Sequence, residues 1–222
     1  MSGRSLIVAN GRPPTAAEIT RWHRPGDQII AADGGARHAL ALGLLPDIVI
    51  GDLDSLDAAS RARLEQQGCR FVRRPADKDE TDLELALLLA ARQHPTEIVI
   101  LGAMGGRLDQ FLANVLLLTL PQLVGVPVRL ADSTQEAFVV HAGETVAVRG
   151  RVGDTLSLIA LNGDAAGVYT TGLKWQLAGD TLSAGPARGV SNVIVSLPVH
   201  VRLQHGTLLV IHIFLSDGIE HT

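Results

Sequence analysis

Up to about residue 131 the chain alternates short β-branched runs with segments of helical period, and beyond that point the helical period stops. Strand–helix alternation of this kind places helices on the faces of a mainly parallel sheet, whereas Gly-punctuated apolar runs without helices form antiparallel sheets. The expected architecture is an N-terminal, mostly parallel three-layer α/β sheet domain over residues 1–131. A smaller all-β, sandwich-like domain over residues 132–222 follows it.

In the first part, strands are expected at Leu6–Ala9, Gln28–Ala32, Ile48–Ile50, Cys69–Arg73, Glu97–Leu101 and Pro127–Ala131. Helices are expected at Ala16–Trp22, Ala36–Leu42, Asp57–Gln67, Asp82–Gln93 and Leu108–Leu120. Thr81 followed by Glu84 has the capping-box pattern, which fixes a helix start at Asp82. Leu108, Phe111, Leu112, Val115, Leu116 and Thr119 share one face of a helix and predict its buried side. In the second part the runs Thr155–Leu161, Val190–Leu197 and Thr207–Phe214 read as strands, and Asn162-Gly163 as a tight turn.

Composition removes whole classes of function. At 46% hydrophobic and 19% charged residues the chain is ordinary globular material. A net charge of −4 offers no broad basic surface for nucleic acid or an acidic membrane, so any phosphate must bind at a local site. The single cysteine, Cys69, excludes an internal disulfide framework and favours a reducing compartment. The N-terminal apolar run is about five residues, too short for a signal-peptide core or a membrane span, and a cytoplasmic protein is expected. The eight histidines are scattered without metal spacing and read as surface or packing residues.

In open α/β sheets ligands bind at the carboxyl ends of the strands, and acids and glycines follow these strands. They are Asp33-Gly34-Gly35, the segment GDLDS at Gly51–Ser55, the segment DKDETD at Asp77–Asp82, and GAMGGRLD at Gly102–Asp109. Asp52 and Asp54, two apart beyond an extended run, suit a hard cation such as magnesium, which takes one or two carboxylates and shares its remaining positions with water and phosphates. Asp82 completes such a shell and Lys78 supplies a point charge for a phosphate, while Glu80 and Glu84 favour the helix start through the macrodipole. The glycine-rich and lysine signatures of the common nucleotide-binding loops are absent. Gly105 and Gly106 before a helix, with the forked guanidinium of Arg107, still offer phosphate donors, and Asp109 is placed to face a substrate hydroxyl.

The ordered set ADGGA (Ala32–Ala36), LPDIVIGDLDS (Leu45–Ser55), DKDETDLELAL (Asp77–Leu87) and GGRLDQ (Gly105–Gln110) resembles the thiamine pyrophosphokinase family. So do SLIAL (Ser157–Leu161), TTGLKWQL (Thr170–Leu177) and GVSN (Gly189–Asn192) in the second half. The resemblance implies transfer of a diphosphoryl group from ATP to the hydroxyl of thiamine, with magnesium, giving thiamine diphosphate and AMP. It implies Asp52, Asp54 and Asp82 as magnesium ligands, Asp33 at the same acidic centre, and Asp109 orienting or deprotonating the hydroxyl. Gly34, Gly35, Lys78, Asp79, Thr81, Gly105, Gly106 and Arg107 then surround the nucleotide. Trp175, Ser191 and Asn192 suit a flat cationic acceptor that needs aromatic surface and a few hydrogen bonds. A homodimer with active sites between subunits is implied as well. The chain departs from the family pattern at Gln110, where many relatives have His, at Trp175, where many have Tyr, and at Val193, where an acid often follows Ser-Asn.

The acids alone specify metal and phosphate, so another magnesium-dependent pyrophosphokinase or a phosphohydrolase is the nearest rival reading. A non-catalytic thiamine or nucleotide sensor is the more distant one.

Overall fold

The computed structural model describes residues 3–75, 77 and 79–215, so Lys78 lies outside the described residues. The chain forms two units, one running through Ser133 and the other starting at Thr134.

In the first unit β1 (Ser5–Val8), β2 (Gln28–Ala32), β3 (Ile48–Gly51), β4 (Arg70–Arg73), β5 (Ile98–Leu101) and β6 (Val128–Ala131) form one parallel sheet. Its order is β4-β3-β2-β1-β5-β6, so the winding reverses between β1 and β5. Helices α1 (Ala16–Trp22), α2 (Gly35–Ala41), α3 (Ala58–Gln66), α4 (Asp82–Ala91) and α5 (Leu108–Leu117) connect the strands.

Side chains alternate across a strand, and both sets are apolar here. Leu6, Val8, Ile29, Val99 and Leu101 pack with Ile19, Trp22 and Ala39 of α1 and α2, and Ala31 and Val49 pack with Leu64 of α3. Their neighbours Ile7, Ile30, Ile50, Ile98 and Ile100 are buried on the opposite face, where α4 lies with Leu83, Ala86, Leu87 and Ala90 inward. Three layers result, as the doubly apolar strands require.

The helix starts are set by side chains. The Thr81 hydroxyl accepts from the Glu84 amide at 3.1 Å and starts α4 at Asp82. A complete reciprocal box, which the sequence reading passed over, starts α1: the Thr15 hydroxyl accepts from the Glu18 amide, and the Glu18 carboxylate accepts from the Thr15 amide at 2.9 Å.

Helix α5 corrects one expectation. Leu108, Leu112 and Leu116 are 70%, 53% and 51% exposed, while Val115 and Leu118 turn inward. The apolar positions wrap more than one face, and periodicity located the helix without identifying its core side.

The second unit is an antiparallel sandwich. β7 (Gln135–His141), β13 (His205–Ile213), the first half of β9 (Thr155–Thr171) and β11 (Asn192–Val193) form one sheet. β8 (Thr145–Val148), β12 (Val199–Arg202), the last part of β9 and β10 (Ala178–Leu182) form the other. Between them lie Phe138, Val140, Leu156, Leu158, Val168, Val201, Leu208 and Val210. Asn162-Gly163 is not a hairpin turn: both residues adopt positive φ, 57° and 118°, inside the single strand β9. The bulge there breaks the register with β13 between His205 and Thr207 and carries β9 from one sheet into the other.

No helix among the described residues is long and apolar enough to cross a membrane.

Candidate functional site

The carboxyl ends of β2 and β3 bring three acids together. One carboxylate oxygen each from Asp33, Asp52 and Asp54 lies within 4.8 Å of the others. Asp33 holds the left-handed conformation, φ 46°, with its amide donating to the Ile50 carbonyl at 2.8 Å, so it is tied to β3 as well as to its own strand. Gly51 is the hinge of the second loop, at φ 152°. A Cβ there would stand 3.1 Å from the Asp33 Cβ and 3.3 Å from an Asp82 oxygen, so Asp82, the first residue of α4, borders the same point.

Asp52 Oδ1 accepts from the Asp54 amide at 3.1 Å, a local turn that fixes the spacing of the pair. The crowding has an electrostatic consequence. A side-chain hydrogen bond with Asp52, then repulsion from Asp52 and, more weakly, from Asp33 and Asp82, hold the Asp54 carboxyl above its ordinary value. All the donors are hard oxygens with surplus negative charge, and this set fits a hard divalent cation such as magnesium.

Two further residues at this centre were not assigned from the sequence. Asn10, beyond β1, donates from Nδ2 to Asp33 Oδ2 at 3.1 Å, and Ser55 donates from Oγ to Asp33 Oδ1 at 2.7 Å. Ser55 closes the GDLDS motif; Asn10 carries no motif, and only the β1–β2 pairing reveals it.

The remaining residues of the first unit are placed as follows. Gly34 and Gly35 begin α2, Asp79 is exposed beside the start of α4, and Thr81 is the cap of that helix. Gly105 and Gly106 are exposed at φ 79° and 77° with open space where a side chain would stand. Arg107 and Asp109 face each other: Arg107 Nε donates to Asp109 Oδ1 at 3.1 Å, and a terminal nitrogen donates to Oδ2 at 2.5 Å. The Arg107 hydrogen bond, helped by the Gln110 amide, holds the Asp109 carboxyl below its ordinary value.

In the second unit Trp175 follows β9 and is 57% exposed, with Lys174 Nζ 4.8 Å from the centre of its rings. Asn192 is buried at the base of this segment. Its Oδ1 accepts from the Trp175 and Val193 amides and its Nδ2 donates to the Trp175 carbonyl, so it shapes the Trp175 turn. Ser191 is exposed at φ 61° and donates its amide to Ser157 Oγ at 3.0 Å.

Comparison with known proteins gives a consistent picture. A family model described as thiamin pyrophosphokinase, catalytic domain, matches residues 22–129, and one described as thiamin pyrophosphokinase, vitamin B1 binding domain, matches residues 144–208. The chain is 30% identical to a thiamine pyrophosphokinase of Bacillus subtilis (strain 168), over 85% of this chain and 88% of that protein. It is 26% identical to thiamine pyrophosphokinase 1 of Oryza sativa subsp. japonica, over 89% and 82% of the two chains. The crystal structure of the Bacillus subtilis thiamine pyrophosphokinase superposes with a TM-score of 0.84 at 26% identity, covering 96% of this chain and all of that one, 100%.

Proposed function

The chain belongs to the thiamine pyrophosphokinase family and is an ATP:thiamine diphosphotransferase, and from that premise we propose how its own residues divide the work. The thiamine hydroxyl oxygen attacks the β-phosphorus of ATP, the bond from that phosphorus to the α-phosphate oxygen breaks, and AMP leaves. Little covalent chemistry is asked of the protein in a displacement of this kind, and positioning and charge stabilisation carry the rate.

Asp52, Asp54 and Asp82 would hold magnesium, with Asp33 at the same centre. The observation that supports this is the convergence of the Asp33, Asp52 and Asp54 carboxylates within 4.8 Å at the strand ends, with Asp82 bordering the same point. When bound, the ion offsets polyphosphate charge and orients its oxygens. Lys78 and Arg107 bind phosphates, Gly105 and Gly106 leave room for close backbone approach, and Gly34, Gly35, Asp79 and Thr81 flank the nucleotide. Asp109 accepts the proton of the thiamine hydroxyl. Its pairing with Arg107 keeps it ionised, and a phosphate engaging the guanidinium would loosen that pair and free the carboxylate.

Trp175 offers one open aromatic surface to thiamine, with Ser191 beside it and Asn192 holding the turn. We place these surfaces in a homodimer, the Trp175 segment of one protomer serving its partner's acids. The exposed row Leu108, Leu112 and Leu116, which begins one residue before Asp109, supports an apolar contact there.

Incubation with magnesium, ATP and thiamine, with products separated by chromatography, tests the reading. AMP formed one-for-one with thiamine diphosphate is expected; ADP with thiamine monophosphate would overturn it.

A further inference from the structure

We propose that Asn10 and Ser55 are positioning residues of the cation centre, clamping the Asp33 carboxylate so that its free lone pairs face Asp52 and Asp54. The inference rests on the reading of that centre as a magnesium site.

Three adjacent parallel strands deliver the three partners: Asn10 follows β1, Asp33 follows β2 and Ser55 lies beyond β3. The two donors take different oxygens of one carboxylate, Asn10 Nδ2 to Oδ2 at 3.1 Å and Ser55 Oγ to Oδ1 at 2.7 Å. A carboxylate has about four acceptor positions. With one on each oxygen taken, rotation about the terminal torsion, otherwise soft, is stopped. The backbone is fixed as well, by the bond from the Asp33 amide to the Ile50 carbonyl at 2.8 Å.

The Asn10 carboxamide lies close against the backbone of residue 34. A Cβ on residue 34 would lie 2.2 Å from Asn10 Oδ1 and 2.5 Å from its Nδ2. Only glycine lets the carboxamide lie against the backbone there, with Nδ2 at Asp33. The glycine after Asp33 therefore serves the side chain of a residue 24 positions earlier, giving ADGGA a role besides phosphate approach. Ser55 acts from the other side with a short hydroxyl bond. Partners of this type orient metal ligands, and their loss typically weakens metal binding about 10–100-fold.

The probe is Mn2+ alone, with free ion counted by electron paramagnetic resonance and folding followed by circular dichroism. Ser55→Ala and Asn10→Leu should each weaken Mn2+ binding about 10–100-fold with unchanged spectra and melting. Asn10→Leu keeps nearly the shape of the side chain and removes its N–H donor without adding a charge to the acid cluster. Ser55→Thr, which keeps the hydroxyl, should bind Mn2+ as the parent does, and Gly34→Ala should reproduce the Asn10 defect by displacing the carboxamide. If the parent binds Mn2+ and Asp52→Asn abolishes binding, yet Ser55→Ala, Asn10→Leu and Gly34→Ala all bind normally, the clamp is wrong and the metal site stands. If the parent itself binds no Mn2+, or Asp52→Asn binds as well as the parent, the metal reading fails and takes the clamp with it.

Discussion

The carboxamide of Asn192 grips the backbone of Trp175 on both sides, accepting from its amide at 3.1 Å and donating to its carbonyl at 2.6 Å. The indole is thereby presented outward on a turn held through its backbone. Each such bond contributes about 0.5–1.5 kcal/mol net, and 1.4 kcal/mol is tenfold in binding. Asn192→Ala should raise the KM for thiamine about tenfold while the KM for ATP stays put. Asn192→Asp should be worse, because it sets an acceptor against the Trp175 carbonyl. Steady-state kinetics with each substrate varied in turn decides this, and an unchanged thiamine KM would remove the clamp from the account.

The acids of the cation centre repel one another, and the raised carboxyl of Asp54 reports it. A carboxyl raised in the folded state favours folding below its unfolded value, near 3.8, and that contribution is lost as pH rises through the folded value. Metal-free protein should therefore lose melting temperature as pH climbs through the range just above 3.8, and Mg2+ should restore it. Asp54→Asn should flatten the metal-free pH dependence while lowering magnesium-dependent turnover, as loss of a metal ligand does. Melting curves with and without Mg2+ across that range, beside an activity assay, read both effects. A variant that melts lower without metal than its parent would contradict the repulsion.

How much of this was legible in the sequence depends on range. Thr81 and Glu84 announce the start of α4 because a cap is a local contact, and GDLDS announces an acid cluster because Asp52 and Asp54 stand on one loop. The buried side of α5 was not legible, since leucines occupy more than one of its faces and only the packed fold selects Val115 and Leu118 over Leu112 and Leu116. Asn162-Gly163 misleads for a related reason: positive φ suits a turn and a bulge equally, and the partner strand decides between them. Asn10 was invisible because its partners, Asp33 and Gly34, become neighbours only through the pairing of β1 with β2.

The leucine row of α5 makes its own prediction. Apolar side chains exposed at Leu108, Leu112 and Leu116 give up roughly 25 cal/mol for each Å² left in water. A dimer that covers them regains it. Leu112→Glu combined with Leu116→Glu should shift the protein from dimer to monomer in sedimentation velocity. It should also lower turnover, since the proposed acceptor surface comes from the partner. A parent that sediments as a monomer would exclude the arrangement.

Arg107 and Asp109 test the base. The guanidinium holds Asp109 below its ordinary value in the free protein, so Arg107→Gln should let that value rise, and the acid limb of the kcat/KM profile, which reports the free enzyme, should move to higher pH. Both side chains are exposed, so salt screens the pair and the limb should move by less than about one pH unit. Asp109→Asn should abolish the limb and lower kcat by about 10²–10⁴-fold, the usual range for a general base. A pH profile of Arg107→Gln that matches the parent would leave Asp109 without the proposed role.

His212 carries the last prediction, and it concerns stability rather than turnover. The ring is completely buried between two acids on neighbouring elements. Nδ1 lies 3.1 Å from Glu136 Oε1, directly opposite across the β7–β13 pairing, and Nε2 lies 2.8 Å from Asp154 Oδ2. The ring thus bridges two buried acids that lie far apart in the sequence. Burial alone would raise the Asp154 carboxyl. The Leu215 and Arg151 amides, followed by His212, outweigh burial and hold it below the ordinary range. His212→Gln removes the ring that both buried acids contact, and removing one partner of a buried hydrogen bond costs about 1–3 kcal/mol. The sign with pH follows from the lowered Asp154: its stabilising contribution is complete above the unfolded value near 3.8 and fades as pH falls through its lower folded value. The urea midpoint of His212→Gln should thus fall well below that of the parent at pH 7, and the gap should narrow below pH 3.8. Equal midpoints at pH 7 would show that the triad is electrostatically idle.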